Sequence, residues 1–169
     1  MVDINEFALK RAETAAAKLW AFGSASYPLR HHSALLLQRQ ISDEVTDTAI
    51  AFAIHVRRLL DNSGVRTKFQ LDQPFRKWAP APGLKRERSL REALNRIVHA
   101  TDFEVGFEKL PESVSTIGGG SIGVIFLKTR TDQKETALVD VFSLASCFFD
   151  KLVPIFSRPP ETAPPDIVN

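Results

Sequence analysis

Arg91, Asn95, His99 and Asp102 follow one another at steps of four, four and three residues, the spacing that lines one face of a helix. Such a face can do chemistry on a phosphate. Histidine exchanges a proton near neutral pH, asparagine orients a ligand or a neighbour, and arginine holds a phosphate by a bidentate contact. Asp102, at the expected helix end, could instead pair with His99 and fix its tautomer. The plainer alternative is a solvated helix face or a buried structural network, and the spacing alone does not choose between them.

A second candidate lies just upstream. Phe69, Phe75 and Trp78 are interleaved with Arg66, Lys68, Arg76 and Lys77, and Lys85, Arg86 and Arg88 follow. Cations engage phosphates, and aromatic faces stack on unpaired bases, so this mixture suits RNA or single-stranded DNA. The alternative is that the aromatics tuck back onto the helices while the charges stay in water. Residues 65–88 hold seven cations and two carboxylates, a net of +5. The whole chain is only +2, so the positive charge is concentrated here.

Three other motifs read as structure. Gly118–Gly123 spells a dinucleotide fingerprint, but it follows a loop and enters a strand, where phosphate binding needs a following helix. Cys147 sits beside Phe148 and Phe149 on an apolar helix, which predicts a packed thiol rather than a nucleophile. His31 and His32 are adjacent, with no further ligand set nearby, and His55 lies off the apolar stripe of its helix. No cofactor and no metal is expected.

The elements that must position these residues can be read from periodicity. Asp3 and Glu6 form a capping box ahead of Ile4, Phe7, Ala8, Ala12, Ala15, Leu19 and Phe22, predicting a helix over 3–22. Leu37, Ile41, Val45, Ala49, Phe52, Val56 and Leu59 predict a long helix over 33–62, with Gln40, Asp43, Glu44, Asp47, Arg57 and Arg58 on its other face. Gly64 suits a left-handed cap after it. Pro80, Pro82 and Gly83 argue against regular structure in 65–88. Ser89 and Glu92 form a second capping box, opening a helix to about Asp102. Phe103, Val105 and Phe107 then alternate with Glu104, Gly106 and Glu108, a half-buried strand. Residues 121–128 and 135–141 predict two more strands joined in a hairpin. A last helix is expected over 142–156, ended or bent by Pro154.

These elements predict an α+β chain, mostly α. It is read as an antiparallel four-helix bundle with a small antiparallel β-sheet (about 103–141) inserted before the last helix. Residues 1–156 form the single domain, and the Pro-rich tail 157–169 is expected to be disordered. The core should include Phe7, Leu19, Ile41, Phe52, Val56, Leu94, Ile97, Phe149 and Leu152.

The segment Ser89-Leu-Arg-Glu-Ala-Leu-Asn-Arg-Ile-Val-His-Ala100 resembles a stretch in uncharacterised bacterial proteins. The layout around it, over about 33–102, resembles the HEPN superfamily of small helical bundles. Many HEPN proteins are RNases of toxin–antitoxin or phage-defence systems, and others are inactive binding modules. Their active motif is arginine, a polar residue often asparagine, three variable residues, then histidine. Asn95 and His99 match the last two elements, and Leu94 stands where the arginine belongs. Arg91 or Arg96 could substitute, neither at the family spacing. The resemblance implies His99 as general acid or base, Asn95 orienting it, Arg91 or Arg96 holding phosphate, and a homodimer.

Of 169 residues, 44% are hydrophobic and 25% charged, ordinary globular values. The single cysteine excludes an internal disulfide and fits a reducing compartment. The first residues read as no secretory signal, and no apolar run approaches a membrane span. A cytoplasmic protein without a membrane partner is expected. The function expected is a non-catalytic, RNA-associated or degenerate nuclease-like module. The alternatives are a protein-interaction module using the sheet edge or an exposed apolar patch, and an active metal-independent endoribonuclease using His99.

Overall fold

The structure is a computed structural model that describes residues 3–29, 34–72, 85–115 and 119–157. The tail after Ser157, the 73–84 stretch holding Phe75, Arg76, Lys77 and Trp78, and the His31–His32 pair lie outside the described residues.

Helix α1 spans Ile4–Ser24 and α2 spans Ala34–Asn62. The Asp3 carboxylate caps α1 by accepting the Asn5 N–H at 2.7 Å. Ala8, Ala12, Ala15, Ala16 and Leu19 form its buried stripe, and small side chains let α2 approach closely. Asn62 Nδ2 donates to Asn5 Oδ1 at 3.0 Å, so the end of α2 meets the start of α1 and the pair is antiparallel. Gly64, at φ 66°, makes the left-handed exit expected of it.

Strand β1 is Tyr27–Pro28, β2 is Lys85–Arg86, β3 is Asp102–Lys109, β4 is Ser121–Thr131 and β5 is Lys134–Asp140. The β4–β5 hairpin turns at Asp132-Gln133. β3 pairs antiparallel with β4 from Asp102↔Arg130 to Lys109↔Ile122, with a bulge after Gly106. β1 pairs antiparallel with the start of β4, and β2 runs parallel to β5. Gly106 faces Phe126 so closely that an added Cβ would lie 2.2 Å from the ring. That ring covers the glycine across the strands.

The sheet overturns the predicted architecture. It is a mixed five-stranded sheet, not a small antiparallel insertion in a four-helix bundle. Ser121–Ile125 are buried without alternation, so β4 is covered on both faces and belongs to the core. Helices α1 and α4 (Val141–Cys147) pack together and against β4, while α3 (Leu90–Val98) packs between α2 and the sheet. The parallel strand β2 emerges from a stretch that looked irregular. Two residues carry no periodic signal, so neither β1 nor β2 could be read from patterning.

Asp140 ends β5 and caps α4, its Oδ1 accepting the Ser143 N–H at 2.7 Å. The helix widens into a π-type turn over Phe148–Leu152, where the Val153 N–H reaches back to Phe148 O. It then continues as a final helical turn, α5, Val153–Phe156. Pro154 therefore does not end the helix; a wide turn directly precedes its ring, which lacks an N–H. The core brings Phe52 and Phe148 edge to face at 5.7 Å. Phe7, expected inside, is 41% exposed and lies edge-on to His55, and Phe149 is half-buried. Among the described residues no helix is long and apolar enough to cross a membrane.

Candidate functional site

Helix α3 begins at a cap, with Ser89 Oγ accepting the Glu92 N–H at 3.4 Å. Leu90, Ala93, Leu94 and Ile97 are buried. That orientation fixes which side chains can act. Leu94, at the position of the HEPN arginine, is fully buried. Asn95 is half-buried and His99 exposed, with His99 closing the helix through its N–H to Asn95 O at 3.0 Å.

The helix ends at Val98, four residues earlier than expected. Asp102 instead starts β3, opposite Arg130, so the predicted His99–Asp102 pairing along one helix face is lost. The ring partner of His99 is Arg57 on α2, whose Nη1 lies 3.2 Å from His99 Nε2. A guanidinium only donates, so Nε2 accepts and the neutral ring carries its proton on Nδ1.

These groups line a cleft of about 400 Å³ between α2, α3 and the β4–β5 turn. The turn adds Asp132, Gln133 and Lys134 to its wall. Lys134 pairs with Glu92 across the cleft. On the other side of α3 a second cleft of about 580 Å³ is lined by Arg66, Lys68, Arg91 and, again, Asn95. Arg66 and Lys68 are exposed and, like Arg57, have no carboxylate partner among the described residues. Asn95 thus sits where the two clefts meet, and its side chain makes no hydrogen bond among the described residues.

The substitute arginines are otherwise engaged. Arg91 donates to Asp61 at 2.9 Å on the surface. Arg96 is only 5% exposed; its Nε donates to Glu87 Oε2 at 3.2 Å and its Nη1 to Glu135 O at 2.8 Å. Glu87 Oε1 accepts the N–H groups of Arg88 and Ser89 at 3.0 and 3.1 Å. Arg96 is therefore a buried tie between α3, β5 and the chain entering α3.

The basic segment divides. Phe69 is packed into the core, with its carbonyl accepting the Leu90 N–H at 3.0 Å, so its ring cannot stack on a base. Lys85 and Arg86 form β2; Arg86 lies 3.7 Å from Asp140, while Lys85 and Arg88 are exposed. Arg76, Lys77 and Trp78 lie outside the described residues.

The remaining motifs have structural roles. Gly119 and Gly120, at φ 86° and 89°, turn the chain into β4, so a strand rather than a helix follows them. His55 is half-buried; burial, then Arg58 and Arg11, hold its pKa below the usual histidine value. Cys147 is buried with Sγ 3.7 Å from Gln70 O, and burial pushes its thiol up to about 11. Native protein at pH 8 should therefore react with a maleimide or iodoacetamide far more slowly than urea-unfolded protein. Equal rates would place Cys147 at the surface. Among the described residues no group of three His, Cys, Asp or Glu side chains is placed to hold a metal ion.

Sequence reasoning missed Arg57. It had been read as one more charge on the polar face of α2, and nothing in its spacing relates it to residues 42 positions later. Gln133 and Lys134 reach the site only because the hairpin turns there. No described protein family, curated protein or solved structure matches the chain. What fold and site define is a class: an α+β protein whose mixed sheet backs a short helix flanked by two clefts with charged walls.

Proposed function

We propose that this chain is a non-catalytic RNA-associated protein that holds single-stranded RNA by its phosphates across the exposed face of α3. The observation that carries this reading is the meeting of the two clefts at Asn95. Arg57 and His99 stand on one side, and Arg66 and Lys68 on the other. Cations spaced along a groove follow a flexible phosphate backbone without reading sequence. The spacing of Asn95 and His99, which resembles the last two elements of the HEPN motif, supports an RNA partner. Cleavage is disfavoured because the position of the family arginine is a core leucine, while Arg91 and Arg96 are held by Asp61 and Glu87.

Charge reversal of Arg66 and Lys68 to glutamate should weaken binding of a fluorescein-labelled single-stranded RNA by about tenfold or more in an anisotropy titration. Wild-type affinity in that double variant would remove the track. A signal that rises and then decays as the RNA is cut, and that is lost in His99→Ala, would replace binding by cleavage.

A second reading has its own observation. Leu35 and Leu36 at the start of α2 are 81% and 61% exposed, and apolar side chains of that size in water suit a protein partner. On that reading the Arg66/Lys68 reversal leaves function intact, while polar substitution of both leucines abolishes it.

A further inference from the structure

The contact between Arg57 and His99 has a consequence for how an anion enters, given the RNA reading above. In the free protein the Nε2 lone pair of His99 is used by Arg57 Nη1 at 3.2 Å. A phosphate oxygen has only lone pairs to offer. It can take the Arg57 N–H, but it then faces the lone pair that Arg57 has released, and two acceptors repel. Moving the ring proton from Nδ1 to Nε2 would supply a donor, but an uncharged one. Protonation supplies it with a positive charge, so both partners donate as cations and the phosphate oxygen accepts a charge-assisted bond from each.

We propose that Arg57 and His99 form a proton-coupled phosphate clamp. One proton from solvent binds the Nε2 lone pair of His99 as one phosphate group of the RNA backbone enters the cleft, and one proton leaves with it. No covalent bond to phosphorus forms or breaks. The phosphodiester stays an anion throughout, so the exchanged proton belongs to the histidine.

The charged groups that face His99 fit this use. Arg57 comes from α2, Glu92 and Arg96 from α3, and Asp132 and Lys134 from the β4–β5 turn. Glu92 is occupied by Lys134, and Arg96 by Glu87. Arg57 is therefore the cation left to meet an anion, and Asp132 is the one carboxylate in the wall without an ion-pair partner among the described residues.

Because the complex holds one more proton than the free protein, affinity must rise as pH falls. The gain is at most about tenfold per pH unit, within the range where histidine exchanges protons, about pH 5 to 8. His99→Gln removes the titrating group while keeping a polar side chain.

The experiment has two arms. Anisotropy of a labelled single-stranded RNA is measured at about pH 5.5 and about pH 8 at fixed ionic strength, for wild type and His99→Gln. The wild-type affinity ratio should be about tenfold or more, and the His99→Gln ratio close to one. In parallel the His99 imidazole is titrated by NMR with and without inorganic phosphate, which should move its midpoint to higher pH. A pH-independent wild-type affinity, or a His99→Gln variant that keeps the full ratio, overturns the clamp. No RNA binding at either pH, with the NMR midpoint still moved by phosphate, keeps the clamp and overturns the RNA reading. No RNA binding and an unmoved midpoint overturn both.

Discussion

Arg96→Ala is expected to destabilise the protein by about 3–5 kcal/mol, read from urea unfolding at neutral pH. The pair it breaks is buried on both sides, with Arg96 and Glu87 side chains 6% and 10% exposed. Removing the guanidinium leaves Glu87 with its two backbone donors but no counter-charge for a carboxylate in the interior. It also frees the Glu135 carbonyl of β5, which accepts from Arg96 Nη1 at 2.8 Å. The interaction is therefore one link in a three-part junction of α3, β5 and the turn before α3. Its attraction and its desolvation nearly offset each other, so the loss comes mainly from the orphaned partner. Accordingly, the double replacement Arg96→Met with Glu87→Met should recover a large part of the single-variant loss. A loss below about 1 kcal/mol for Arg96→Ala would mean that the pair is solvated, as exposed pairs are.

The second large effect belongs to Phe52. Its side chain is completely buried on α2 and meets the fully buried Phe148 edge to face at 5.7 Å. Phe52→Ala should cost about 3–5 kcal/mol, through lost transfer energy and the cavity left where rigid elements cannot collapse. Phe148 begins the π-type turn, so the contact also holds that irregular segment against α2. Phe148→Ala should cost a similar amount. The double variant should fall short of the sum by about 0.5–1.5 kcal/mol, the value of the aromatic pair itself. Strict additivity in thermal or urea unfolding would show that the two rings do not interact.

Much of this framework was legible in the sequence, for identifiable reasons. The long helices announced themselves by apolar spacing, and α1 and α2 fall within a residue or two of the expected ranges. Asp3 and Ser89 cap where their side chains suggested. Leu94 and Ile97 were read into the core, and the alternation of Phe103, Val105 and Phe107 announced β3. The architecture was not legible, because it depends on strands two residues long and on the parallel pairing of Lys85–Arg86 beside β5. The end of α3 was misjudged for a related reason. A helix pattern can be extended through Ala100-Thr101, but β3 needs Asp102 for its pairing with Arg130, so the sheet took the last turn.

The site was half legible. The spacing of Asn95 and His99 marked a face, and that face does open into clefts. Which cation serves it is a tertiary fact. Arg96 lies one position from the buried Ile97, so the helix carries its guanidinium inward to Glu87. Arg91 turns outward to Asp61, and Arg57 reaches His99 from another helix. Phe69 failed as a stacking residue because its backbone is tied to Leu90, which draws its ring into the core.

The most direct test of the central claim is the salt dependence of RNA binding by the full chain. Anisotropy of a labelled single-stranded RNA would be titrated at several potassium chloride concentrations, and log affinity plotted against log salt. Each phosphate neutralised on a single strand contributes a slope of about −0.7. Engagement of Arg57, Arg66 and Lys68, the cations without a carboxylate partner among the described residues, therefore predicts a saturable rise with a slope of about −2. Arg57→Ala should lower its magnitude by one phosphate's share. A flat titration at low and physiological salt would contradict the account, leaving the face of α3 as structure and the exposed leucines of α2 as the surface to pursue.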